Sequence, residues 1–245
     1  MGILLRTIEK RDLEGSRHVH EACLPVRYKQ QFYNNLVEGV VQRRSNSPKE
    51  SIYTQVAALT DDAGQEKALI GLITCQMVTV GSGESGDEPG DISFSDSSKY
   101  TKAAYMLTLA TLPGYRNQGI GSVLLEGCVA EAGRRIDCGA VFLHVITHNR
   151  LAIQFYEKRG FVRVKELPGY YLIDGFHHNC YVYALYVNGA RAPTPIDGLW
   201  QWCKSMSKRL REAVGVIWTN FQANSEATGE GAMPTQLQVA RDTLV

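Results

Sequence analysis

Several absences narrow this chain before any motif is considered. No apolar run approaches the ~18 consecutive residues that a membrane-spanning helix needs. The start, MGILLRTIEKRDLEG, carries only a short apolar stretch before its charges, a pattern expected of neither a secretory leader nor a span. Arg6 stands where N-myristoylation wants Ser or Thr. A surplus of one charge is missing too, since 26 Lys+Arg against 25 Asp+Glu leave a net charge of +1. The chain as a whole therefore has no electrostatic pull toward phosphate, no nucleic-acid partner is expected, and any basic surface is local. The six cysteines, Cys23, Cys75, Cys128, Cys138, Cys180 and Cys203, form no C-x-x-C pair and are too sparse for a disulfide scaffold. They are expected to be reduced, mostly core thiols in a cytosolic setting. With the six histidines they show no ligand spacing such as H-E-x-x-H, so no metal is expected.

What is present is a globular composition, 44% hydrophobic over 245 residues, enough for one large domain or one domain with an appendage. The patterning predicts a strand over 3–8, a helix from Arg11 to Cys23 closed by Pro25, and a second helix from about Lys29 to Arg43. Strands follow around Tyr53 to Leu59 and Ala68 to Val80. The Gly-, Ser- and Asp-rich stretch 81–100 has little to bury and is expected to be a solvated loop inside a hairpin. From Lys102 the chain alternates, with Ala103, Tyr105, Leu107 and Leu109 on one face and Ala104, Met106 and Thr108 on the other. Pro113-Gly114 turns the chain into a helix from Gly119 to about Arg134. A strand at 140–147 then leads to a helix that begins near Asn149 and ends before Gly160. Strands at Phe161 to Glu166 and Tyr181 to Val187 flank a loop containing Leu167, Pro168, Gly169, Tyr170 and Tyr171. Past Gly189, Pro193 and Pro195 suggest a linker, and 199–221 reads as a basic amphipathic helix before a polar end.

Two segments carry chemistry. Arg116, Asn117, Gln118, Gly119, Ile120 and Gly121 lie directly after a strand and before a helix. Consecutive amides at a helix start, approachable through glycines, bind phosphate oxygens with help from the helix dipole. The segment lacks the P-loop ending and the three-glycine Rossmann spacing. It also reads as a turn that merely lets a helix pack closely. In the second segment Asn149 can cap a helix, and Tyr156, about two turns later, has a hydroxyl able to donate a proton.

Taken in order, strand, Arg-x-x-Gly-x-Gly, helix, strand, Asn-x-x-Ala-x-x-x-Tyr and Gly-Phe opening another strand, the series resembles the GNAT acetyltransferase superfamily over roughly Leu4 to Gly189. The resemblance implies an α+β fold, a mixed, mostly antiparallel sheet flanked by helices in a domain at 1–189, with 190–245 as linker and amphipathic tail. It also implies an acetyl-CoA cosubstrate. Leu107, Thr108 and Leu109 would hold the pantetheine on a splayed strand, and Arg116 to Gly121 would hold the pyrophosphate. Asn149 would touch the pantetheine arm, and Tyr156 would protonate the leaving thiolate.

The segments Leu24-Pro25-Val26-Arg27-Tyr28, Ala104 to Leu109, Phe142 to Val145 and Leu167 to Tyr171 are similar to the NatE and NatF types of N-terminal acetyltransferase, with the tail favouring the NatF type. That implies a peptide slot lined by Leu24, Pro25, Val26, Tyr28, Tyr170 and Tyr171, acceptors that begin with Met, and Tyr105 and His144 as general bases. It further implies protein N-termini as partners, with 199–221 lying on the cytosolic face of a Golgi or plasma membrane.

The chemistry agrees with a modest base. An α-amine of pKa ~7.7 to 8 is already neutral in roughly a tenth of molecules at pH 7, whereas a lysine would need ~3.5 kcal/mol more help. Neither TKAAYMLTLAT nor AVFLHVIT offers Asp or Glu, but Tyr105 and His144 can relay a proton through water. Two alternatives stay open: a lysine or polyamine acceptor on the same fold, and a non-enzymatic membrane-surface scaffold.

Overall fold

Eight segments of the described chain form strands, and they join one sheet. The computed structural model describes residues 2–41, 49–80, 92–173, 175–194 and 197. In chain order the elements are β1 (Gly2–Thr7), α1 (Leu13–Cys23), α2 (Gln30–Glu38), β2 (Val40–Val41), β3 (Glu50–Thr60), β4 (Glu66–Thr79) and β5 (Lys102–Thr111). They continue as α3 (Ile120–Gly133), β6 (Cys138–Ile146), α4 (Arg150–Glu157), β7 (Val162–Ile173) and β8 (Phe176–Tyr186). The strands are ordered β1-β3-β4-β5-β6-β8-β7, with β2 on β3. Only β5 and β6 run parallel among these pairs, which gives the mixed, mostly antiparallel sheet that the motif order implies.

Helices cover both faces. α3 buries Ile120, Leu124, Leu125, Cys128 and Ala132, spaced to form one stripe, against Ile70, Ile73, Met106, Val141 and Leu143. α4 adds Tyr156 on the same side. On the other face α1 sets Val19 against Val56, Leu72 and Ala110, and α2 packs through Tyr33 and Leu36. The start of α1 is fixed by Arg6, which donates to Asp12 at 2.6 and 2.9 Å and to Glu66 at 2.9 and 2.5 Å. That pins α1 to β1 and β4. Burial alone would push the Asp12 carboxyl up, but the bonds from Arg6 and from the Glu9 amide outweigh it and hold it below the usual range.

Several expectations need correction. The second helix ends at Glu38 and not near Arg43, because Gly39 takes φ +70 as its cap and the chain turns at once into β2. Of the 81–100 stretch, 81–91 lie outside the described residues, but Ile92, Phe94 and Tyr100 are core residues and not solvated ones. Gly139 makes room for Phe94: a Cβ there would fall 2.6 Å from its ring. The Leu167–Tyr171 segment is not a loop. It belongs to β7, whose register against β8 shifts between Leu167 and Tyr171, and β8 begins at Phe176, five residues before the expected start. The cysteines are not all thiols either, since Cys75 on β4 and Cys128 on α3 form a disulfide, their Cα atoms 7.0 Å apart.

The chain divides into two compact units, Met1–Ala192 and Pro193–Val245. In the second, Asp197 accepts from the Thr194 amide at 2.7 Å and its hydroxyl at 2.8 Å. The amphipathic helix expected at 199–221 lies outside the described residues. Among the described residues no helix is long and apolar enough to cross a membrane.

Candidate active site

The site begins with an irregularity in β5. Thr74 of β4 pairs with Thr108 and the next residue, Cys75, pairs with Met106, which leaves Leu107 as the extra residue of a β-bulge. Past it the alternation reverses. Leu109 joins Met106 in the cluster under α3, while Thr108 and Ala110 turn toward α1. This corrects the expected faces, which placed Leu109 with Tyr105 and Thr108 with Met106.

Beside the bulge the sheet opens. The parallel ladder of β5 and β6 runs from Lys102 and Cys138 to Tyr105 and Phe142 and ends there, although β5 continues to Thr111 and β6 to Ile146. A cavity of about 570 Å³ fills the fork, within the size range of ligand clefts. Its walls are Met106–Leu109 of β5 and Leu143–Ile146 of β6. Backbone groups of two diverging strands suit a long thin ligand with amide groups, because each strand still has donors and acceptors to offer.

The cavity reaches both faces of the sheet. On the α1 side it is bounded by Leu24, Pro25, Val26 and Tyr28 from the α1–α2 connection and by Tyr171, Ile173 and His178 from the β7–β8 hairpin. On the α4 side it meets His148, Asn149, Ala152 and Tyr156. Asn149 caps α4 as expected, accepting from the Ala152 amide at 3.2 Å. Burial pushes the Tyr156 phenol above its usual range, so it stays protonated.

At the branch point of the fork Tyr105 Oη and His144 Nδ1 share a hydrogen bond of 2.9 Å. Phe142 stacks on the Tyr105 ring at 4.9 Å and Tyr170 stacks on His144 at 4.5 Å, so both rings are held by packing. His144 lines the cavity; Tyr105 and Tyr170 stand behind it against His144. Among the described lining residues none is Asp, Glu, Lys or Arg.

The glycine turn lies beyond the end of β5 and outside the cavity lining. Asn117 takes φ +62 and Gly119 φ +83, the latter as the N-cap of α3. In that conformation a glycine is free of strain. The first amides of α3 have no partner within the helix and carry the positive end of its dipole. Phe155 of α4 lies against Gly121, 3.7 Å from where a Cβ would sit, and Arg159 donates to Ser122. α4 therefore braces the N-terminal end of α3. Arg116 is turned back, its Nε donating to the Thr111 carbonyl at 3.1 Å.

His148, His178 and Ile173 were not foreseen in the lining. β8 alternation would have found His178, which shares a face with Cys180 and Val182, had the strand been started at Phe176. A second cavity of about 120 Å³, lined by Tyr53, Cys75, Gln76, Cys128 and Arg135 among others, is too small for a cosubstrate of that length. Among the described residues no three His, Cys, Asp or Glu side chains gather as a metal would require.

A sheet forked at the parallel pair of β5 and β6, with a phosphate-suited helix start beyond the fork, defines a transferase that seats an acyl-CoA. Comparison with known proteins agrees. Residues 18–161 match the acetyltransferase (GNAT) family. Histone acetyltransferase MCC1 of Arabidopsis thaliana is 32% identical over 197 residues, 78% of this chain and 73% of that protein. N-alpha-acetyltransferase 60 of Xenopus tropicalis is 44% identical over 108 residues, 43% of this chain and 45% of that one. The crystal structure of Arabidopsis thaliana NAA60 in complex with acetyl-CoA superposes with a TM-score of 0.63 at 33% identity, covering 77% of this chain and 100% of that chain. The same enzyme with a bisubstrate analogue gives 0.62 at 29% identity, over 77% and 99%. The chain belongs to the GNAT acetyltransferase family, and its cosubstrate is acetyl-CoA.

Proposed function

We propose that the acceptor is the α-amine of a protein N-terminus beginning with Met, followed by Lys, Leu, Ile, Phe or similar residues. The observation that carries this reading is the Tyr105–His144 pair at the branch of the fork, with His144 facing a cavity whose described lining holds no carboxylate. Such a base suits an amine that is already partly neutral near pH 7; a lysine, ~2.5 pKa units higher, asks for much more. The similarity to N-alpha-acetyltransferase 60 supports it.

Acetyl-CoA lies along Leu107, Thr108 and Leu109 with its pyrophosphate at Arg116–Gly121 and its arm near Asn149. The peptide enters from the α1 side between Leu24–Tyr28 and Tyr171; Tyr170, also expected in the slot, stands behind His144. Its amine nitrogen attacks the thioester carbonyl directly, the C–N bond forms, and the amine proton passes through water to Tyr105 and His144. As the C–S bond breaks, Tyr156 donates a hydrogen bond to the thiolate. Burial disfavours its tyrosinate, so the phenol steadies the leaving group more than it surrenders a proton. Most of the rate gain is positioning and proton transfer, with no acyl-enzyme.

The test is CoA release with a Met-Leu or Met-Lys peptide beside its N-terminally blocked twin that keeps an internal lysine. Release only with the free α-amine is expected. Equal release from the blocked twin would move the acceptor to lysine, the reading favoured by the MCC1 relative's name. We further propose that 199–221 holds the enzyme on the cytosolic face of a Golgi or plasma membrane, acting on transmembrane proteins with cytosolic N-termini. Its support is the spacing of Leu199, Trp202, Met206, Leu210, Val214 and Phe221 with Lys204, Lys208 and Arg211 beside them. Deleting 190–245 should release the protein from membrane fractions; retention would defeat this part.

A further inference from the structure

Under the fork, on the α1 side, lies a buried histidine that the acetyl-transfer scheme does not use. His20 is 0% exposed. Its Nε2 and the Thr108 Oγ1 share a hydrogen bond of 3.1 Å. Thr108 follows the bulged Leu107 and faces α1 because of that bulge. The other flank of the imidazole meets three rings, Tyr28 at 5.4 Å and Phe32 and Tyr33 at 5.8 Å. Two of these partners, Thr108 on β5 and Tyr28 in the α1–α2 connection, both line the cavity. One side chain thus touches the cosubstrate strand with a nitrogen and the acceptor wall with its ring.

The chemistry of the site is expensive for a purely structural residue. Burial pushes the His20 pKa down to about 4, so the ring is neutral, with one N–H and one bare nitrogen. Nδ1 has no partner among the described residues, nor does Ser16 Oγ one turn earlier on the same helix. A buried polar atom without a partner calls for an explanation, because an apolar side chain would fill the space without that penalty. The polar bond that His20 does make runs to the first residue beyond the bulge.

We propose that His20 is a positioning residue with two separable arms: Nε2 fixes the bulged segment Leu107–Leu109 that carries acetyl-CoA, and the ring fixes Tyr28 at the peptide slot. The inference rests on the cosubstrate and acceptor placement given above. The arms can be cut one at a time. His20→Gln keeps an amide nitrogen at about the reach of Nε2 and removes the ring; His20→Phe keeps a ring and removes the hydrogen bond.

The experiment is steady-state kinetics on the full chain with both substrates varied, alongside thermal melting of each variant. His20→Phe is expected to raise the acetyl-CoA KM about tenfold with the peptide KM within about threefold of the parent, as for one lost hydrogen bond. His20→Gln is expected to do the reverse, and kcat should stay within about threefold in both. Thr108→Val removes the same bond from the strand side and should match His20→Phe. The double variant should be no worse than either single one, because both delete one interaction. Parallel losses of melting temperature with both KM values unchanged would overturn the proposal, and so would KM shifts that do not separate between Gln and Phe. If the parent fails to acetylate a free α-amine, acetyl-CoA binding by calorimetry still tests the Nε2 arm, so the two failures are distinguishable.

Discussion

The same two strands behave in opposite ways along their length. From Lys102 to Tyr105 and Cys138 to Phe142, β5 and β6 are hydrogen-bonded neighbours, and Ala103, Ala104, Val141 and Phe142 are buried. From Met106 and Leu143 onward they diverge around the cavity. The paired half spends its backbone groups on stability; the open half keeps them for a ligand. The bulge at Leu107 marks the change, and Tyr105 and His144 stand at the boundary. Phe142 of the closed half packs against both rings, and His144 lines the open half. A site placed at such a boundary needs no strained backbone to be both fixed and reachable.

The comparison can be broken most severely at the boundary. A Tyr105→Phe, His144→Ala double variant should lose about a thousandfold in kcat, the range for proton transfer by a positioned side chain, with little change in melting temperature. Stopped or initial-rate assays with a Met-Leu peptide would measure it, and retained activity would remove both residues from the mechanism.

Next in size is an acid-side loss of stability from His20. Its folded pKa is depressed to about 4 by burial, so between pH 6.5 and 4 the unfolded chain binds more protons than the folded one. Stability therefore falls as pH drops through that window, by about 3 kcal/mol for this residue. Its near surroundings, Thr108, Tyr28, Phe32 and Tyr33, carry no charge there; Arg17 lies behind the Tyr33 ring at 4.7 Å. Urea denaturation of the parent and of His20→Gln at pH 7 and 5 should show a flatter profile for the variant.

Smaller effects belong to the far end of the open half. Gly119→Ala puts a Cβ on a residue at φ +83, costing about 1–2 kcal/mol at the helix start. It should raise the acetyl-CoA KM more than it lowers kcat. Asn149→Ala removes the α4 cap and should cost about 1 kcal/mol in chemical denaturation. A change in acetyl-CoA KM beyond that would show the side chain touching cosubstrate as well as helix.

Much of this was legible in the chain because it rests on local chemistry. The Arg116–Gly121 turn is marked by a glycine that must adopt positive φ, the α4 start by a residue able to cap it, and the sheet by alternation. Leu24, Pro25, Val26, Tyr28, Tyr171, Asn149 and Tyr156, singled out by the family resemblance, do line one cavity. What was not legible depended on pairing between distant strands. The bulge at Leu107 leaves no mark in the mostly apolar run 103–110, so the face exchange of Thr108 and Leu109 is visible only against β4. Pro168-Gly169 reads as a break, yet the shifted register with β8 keeps it in the hairpin. Ile92, Phe94 and Tyr100 were hidden by the polar average of their segment. Cys75 and Cys128, 53 residues apart, meet only once α3 lies on β4.

The most direct test of the forked-sheet account is amide hydrogen exchange with and without acetyl-CoA. Slower exchange confined to 106–109, 143–146 and 119–122, with 102–105 and 138–142 unchanged, is the result expected if the open half holds the cosubstrate. Protection spread evenly over both halves, or absent from 106–109, would contradict it.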